Sequence, residues 1–69
     1  MTSNVYQYRV TLRAHDGTKT EWRVHGREGL IEATQSVDWD VKNRHAASGT
    51  VTRLNSSGGD DKEIYRRTA

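Results

Sequence analysis

The chain has 69 residues, of which 29% are charged and 32% apolar, with no Cys and a formal net charge of +2. That length allows one small domain with a lean core, and the absence of thiols excludes a disulfide framework and any thiolate metal site. No apolar run approaches membrane-spanning length, and the N-terminal MTSNVYQY lacks the charged start and apolar core of a signal peptide. A cytoplasmic protein without membrane association is expected.

Residues 5–14, VYQYRVTLRA, alternate in polarity. Tyr6, Tyr8, Val10, Leu12 and Ala14 fall on one face, and Gln7, Arg9, Thr11 and Arg13 on the other. Residues 18–25, TKTEWRVH, alternate again, with Thr20, Trp22 and Val24 opposed to Lys19, Glu21, Arg23 and His25. Between them lies His15-Asp16-Gly17, a hairpin signal. A two-residue Asp-Gly turn would place Val10 opposite Arg23 and Leu12 opposite Glu21, mixing core and solvent faces. A three-residue loop with Gly17 in the left-handed position of a bulge instead pairs Tyr8 with Val24, Val10 with Trp22 and Leu12 with Thr20. The second register is the consistent one.

The segment SVDWDVK, residues 36–42, reads two ways. With a period of two it is a strand carrying Val37, Trp39 and Val41 on one face. With a helical period Val37 and Val41 share a face and Trp39 points away, between two aspartates. Leu30, Ala33, Thr34, Val37, Val41 and Arg44 lie along one helical stripe that a short strand would break. Glu28 and Glu32 near the start, with Lys42, Arg44 and His45 near the finish, complement the helix dipole. A helix is therefore predicted after Gly26, with Gly49 as its stop. Trp39 then sits about 180° from the core stripe.

Residues 50–55, TVTRLN, are rich in β-formers and read as a third strand, although Val51 and Leu54 fall on opposite faces. SSGGDD reads as a flexible turn, and KEIYRR as a short fourth strand. The prediction is a single α+β domain over 1–69, ββαββ, with one helix packed across one face of an antiparallel sheet as a two-layer sandwich. Residues 1–4 and 67–69 are expected to fray. Tyr8, Val10, Leu12, Trp22, Val24, Leu30, Val37 and Val41 are expected to form most of the core.

Two features point to binding. On the outer face of the hairpin, Arg9 is predicted opposite Arg23, and Arg13 opposite Lys19. Like charges directly opposite one another destabilise a sheet, so this basic stripe suits phosphates or an acidic protein surface as well as plain solvation. Arg53 or Arg66 would extend it. The second feature is Trp39, because exposed tryptophans commonly anchor interfaces. Its flanking aspartates favour a basic or mixed protein partner; burial at the core edge or in a homodimer is the alternative.

Chemistry is less well provided for. His15, His25 and His45 are far apart and show no metal-ligand spacing. Gly26 and Gly29 do not form a phosphate-binding motif, and no Ser or Thr sits in a nucleophile context. No cofactor and no catalytic activity are expected.

The order of elements, with a helix followed by Ser48-Gly49-Thr50-Val51-Thr52-Arg53-Leu54, resembles small phage-encoded anti-CRISPR proteins of the type I-F inhibitor class. The likeness spans about residues 18 to 66 at the level of pattern, and GTVTRL carries it most closely. It departs from that class in the Arg-rich first hairpin and in the SSGGDD turn, so no contact residue carries over. The resemblance implies a stoichiometric inhibitor that docks on a surveillance complex where nucleic acid would bind.

The expectation is thus a non-enzymatic binding protein acting on a nucleic-acid-handling protein complex, with Arg9, Arg13, Lys19, Arg23, Trp39 and Arg53 as candidate contacts. The alternative is direct DNA or RNA binding by the basic hairpin face. No aromatic residue interrupts that face, which disfavours base stacking on single strands.

Overall fold

The alternating segment that opens the sequence becomes a central strand, because its apolar side chains have neighbours on both sides. The computed structural model describes residues 6–69. It contains β1 (Gln7–Arg13), β2 (Lys19–His25), α1 (Gly26–Lys42), β3 (Ser48–Leu54) and β4 (Asp60–Thr68). The strands form one antiparallel sheet in the order β2-β1-β3-β4, and α1 packs across one face while linking β2 to β3 over β1. This is the predicted α+β arrangement.

The hairpin register is the one that parity demands. Tyr8 faces Val24, Val10 faces Trp22, Leu12 faces Thr20, Arg9 faces Arg23 and Arg13 faces Lys19. The loop is closed by the Ala14 N–H donating to the Thr18 carbonyl at 2.8 Å, and Gly17 adopts φ 91°. The Thr18 N–H also donates to the Asp16 carboxylate at 2.9 Å, a bond that holds Asp16 below its ordinary pKa.

Tyr8, Val10, Ala33, Val37, Val41, Ala46 and Val51 form the buried cluster, with Leu12, Trp22, Val24, Leu30, Ile64 and Tyr65 packed against it. Of the expected core residues Tyr8, Val10, Val37 and Val41 are buried, whereas Leu12, Leu30, Trp22 and Val24 are only half-buried, the last two because β2 is an edge strand. Tyr6, expected on the core face, is 45% exposed and lies beneath the Arg53 guanidinium, 4.8 Å from its ring centroid. Leu54 pairs with Gln7 and is buried outside this cluster. The weak alternation of the last two strands has a physical source. Pairing jumps from Val51–Tyr65 to Thr52–Glu63 and from Arg53–Lys62 to Leu54–Asp60, leaving Ile64 and Asp61 as extra residues on β4.

Three boundaries differ from expectation. The helix stops at Lys42, well short of Gly49, because Arg44 takes the left-handed conformation at φ 62°. The Arg44 N–H donates to the Val41 carbonyl and the His45 N–H to the Asp40 carbonyl, the bonding of a Schellman cap with a non-glycine residue in the turn. SSGGDD is not a loose turn throughout. The Asn55 carboxamide accepts from the Ser57 and Gly59 N–H groups at 2.9 and 3.0 Å, while Asp60 and Asp61 already belong to β4. β4 also continues to Thr68, and the Ala69 N–H donates to the Ala47 carbonyl, so residues 67–69, expected to fray, carry backbone hydrogen bonds. Residues 1–4 lie outside the described residues.

Gly49 is a packing residue in β3 instead of a helix stop. A Cβ there would lie 2.7 Å from Val37 Cγ1 and 2.9 Å from Leu12 Cδ2. Gly49→Ala is expected to lower stability by about 1–3 kcal/mol through overpacking, measured by urea denaturation. A variant as stable as the parent would show that the helix can retreat from β3 without cost.

Candidate interaction site

The helix stripe that buries Val37 and Val41 leaves the opposite ridge without an element to cover it. Ile31, Gln35 and Trp39 stand at i, i+4 and i+8 on that ridge. Ile31 is 46% exposed and Trp39 is 56% exposed, the most exposed of the large apolar side chains among the described residues.

Trp39 nevertheless has one aromatic neighbour. The His45 ring meets it edge-on, with centroids 4.8 Å apart and planes at 79°. His45 owes that position to the Schellman turn, and its Nδ1 lies 3.9 Å from the Asp40 carboxylate. The Trp39 carbonyl accepts from both the backbone and the side-chain amide of Asn43, at 2.9 and 2.7 Å. These bonds secure the backbone turn that carries the ring, and His45 limits the ring's freedom on one edge.

Of the two aspartates expected to make an acidic surround for Trp39, one is bonded elsewhere in the chain. Asp40 approaches His45 only to 3.9 Å, beyond hydrogen-bond distance, and keeps its carboxylate beside Trp39. Asp38 accepts from the Tyr65 hydroxyl and from Arg67 Nη1, the latter at 3.1 Å, and so ties α1 to β4. The Tyr65 hydroxyl bond, and then Arg67, hold the Asp38 carboxyl below its ordinary range, and the same bond raises the Tyr65 phenol.

The pH consequence follows from the two signs. A depressed carboxyl contributes stability that is complete above its unfolded pKa of about 3.9 and is lost as pH falls through the folded value. A raised phenol contributes stability that is complete below about pH 10 and is lost as pH rises through its folded value. The Tm difference between the parent and Asp38→Asn is therefore expected to be widest from about pH 5 to 9 and to narrow below about pH 4. A difference that does not vary with pH would show that this link contributes nothing through ionisation.

The basic stripe is present but largely neutralised. Arg9, Arg13, Lys19 and Arg23 lie on the sheet face away from α1, as their register requires. Arg9 is paired with Asp60 and lies 3.5 Å from Glu21, reaching across the small Thr52 of the intervening strand. Lys19 is 3.7 Å from Glu21, whose other oxygen accepts from the Thr11 hydroxyl. Arg66 is paired with Glu63 on the same face. Arg13 and Arg23 have no ion-pair partner among the described residues.

Arg53 does not extend this stripe. Its register opposite Tyr8 puts it on the helix side of the sheet, where it stacks on Tyr6 and pairs with Asp61 at 2.6 Å. Its position was misread because the alternation of residues 50–55 does not reveal which face meets the helix. The acids that neutralise Arg9 and Arg53 were missed because Asp60 and Asp61 follow two glycines and read as turn residues.

An open groove of about 440 Å³ runs between α1 and β4, lined by Tyr8, Leu30, Ile31, Arg53, Ile64 and Tyr65 among others. Among the described residues no three His, Asp or Glu side chains converge to hold a metal ion. Among the described residues no helix is long and apolar enough to cross a membrane. Comparison with protein-family models, with characterised proteins and with solved structures gave no match.

Proposed function

We propose that this protein is a non-enzymatic binding protein that docks on a larger protein through the Ile31–Gln35–Trp39 ridge of α1. The observation that carries this reading is the exposed ring of Trp39, turned outward with His45 at its edge. A tryptophan exposed over half its surface has an unfavourable hydration cost, and its outward direction suits insertion into an apolar pocket. Because Asp38 is taken up by Tyr65 and Arg67, only Asp40 is left to offer a carboxylate beside Trp39, and the partner surface needs an apolar socket more than a strongly basic one. A nucleic-acid-handling complex as the partner, and a role as a phage or mobile-element inhibitor, are part of this proposal. They rest on the sequence pattern of the helix and Gly49–Leu54.

A second reading, direct nucleic-acid binding, is favoured by Arg13 and Arg23 on a sheet face that α1 leaves open. Capture from a lysate separates the two readings. Retention of a protein partner that survives nuclease treatment and depends on Trp39 supports the first. Retention that nuclease abolishes, or a shift of duplex DNA at low salt that depends on Arg13 and Arg23, supports the second.

A further inference from the structure

The two edges of the sheet are not equivalent. β4 is broken by its two extra residues, which disrupt the row of outward backbone groups that another strand would need. β2 is a regular seven-residue strand with no such break. The Ala14 N–H bonds the Thr18 carbonyl and the Gly26 N–H bonds the Tyr6 carbonyl, which fixes the hydrogen-bond parity of the hairpin. Thr20, Trp22 and Val24 direct their backbone groups to β1. Lys19, Glu21, Arg23 and His25 direct theirs outward, and a groove of about 320 Å³ between β2 and α1 lies open beside them.

We infer that β2 is a docking edge for a second copy of this chain, pairing antiparallel with its counterpart about a two-fold axis at Trp22. The register follows from parity and charge. Outward groups meet only when odd-numbered residues face odd-numbered residues. Centring the pairing on Trp22 sets Glu21 of each copy opposite Arg23 of the other and Lys19 opposite His25. All seven strand residues are then paired. Shifting the centre by one residue brings Glu21 against Glu21 or Arg23 against Arg23, like charges that oppose pairing.

Two features of the edge fit this pairing. Arg23 faces Arg9 within the hairpin and has no carboxylate partner among the described residues; the second copy supplies one on its open side. Trp22, half-buried on the edge strand, meets Trp22 of the other copy at a non-hydrogen-bonded position, where cross-strand side chains come closest. The resulting sheet is continuous and carries both helices on one side, leaving Trp39 free.

Sedimentation analysis of Glu21→Arg, Arg23→Glu and their equimolar mixture tests the inference. The parent is expected to dimerise as concentration rises, and each variant alone to associate about tenfold more weakly or worse, since both symmetry-related pairs become like-charged. The mixture should recover dimers, because opposite charges then face one another at both pairs. Glu21→Arg also removes contacts to Arg9 and Lys19, so its folding is checked by circular dichroism. A double variant, Lys19→Cys with His25→Cys, gives an independent readout. Those positions are about 20 Å apart within a strand but adjacent across the two-fold axis, so oxidation should yield covalent dimers. A parent that stays monomeric at millimolar concentration would overturn the inference and leave the edge to a strand of another protein. Undiminished association of Arg23→Glu would overturn it equally.

Discussion

Replacing Trp22 by Ala is expected to destabilise the protein by about 3 kcal/mol, at the low end of the range for truncating a core aromatic. The low end applies because the ring is only half-buried, packed against the central cluster from an edge strand opposite Val10. In a chain this small the total stability is a few kcal/mol, so the variant should be largely unfolded at moderate urea concentration. Replacing Trp39 by Ala should leave the denaturation midpoint nearly unchanged, because its ring contacts His45 and solvent and takes no part in the core cluster. Iodide quenching provides a direct check. One tryptophan should be readily quenched in the native state, and Trp39→Ala should lose that accessible fraction.

The second large effect concerns binding. Trp39→Ala is expected to weaken partner binding by about 2 kcal/mol or more, roughly a thirtyfold rise in Kd. His45→Ala should produce a smaller loss of the same sign, since it frees the ring without removing it, and the bound state must then order it. Titration calorimetry on the purified partner would measure both. Equal affinities for the parent and Trp39→Ala would move the docking surface elsewhere on the molecule.

What could be read in the sequence depended on how many independent constraints met at each residue. In the hairpin, alternation on both strands and the Asp16-Gly17 turn admitted only one register, and the structure has it. The outward orientation of Trp39 followed from the helical spacing of Val37 and Val41, which needs no knowledge of neighbours. The end of α1 was illegible because a left-handed Arg44 leaves no mark of the kind that glycine does. The faces of Arg53, Val51 and Leu54 depended on which side of β3 meets α1 and on two bulges in β4, both consequences of tertiary pairing. The neutralisation of Arg9 by Asp60 joins residues 51 positions apart across an intervening strand. No local pattern encodes such a contact, and it reduces the basic stripe to Arg13 and Arg23 as its unpaired members.

The docking role of the α1 ridge is tested most directly by capture from a lysate of the cells in which the protein acts. Immobilised parent and Trp39→Ala are compared by quantitative mass spectrometry, each with and without nuclease treatment of the lysate. The account predicts a protein retained by the parent and depleted at least about tenfold on Trp39→Ala, unaffected by nuclease. Equal retention by both proteins, or retention that disappears with nuclease, would contradict it.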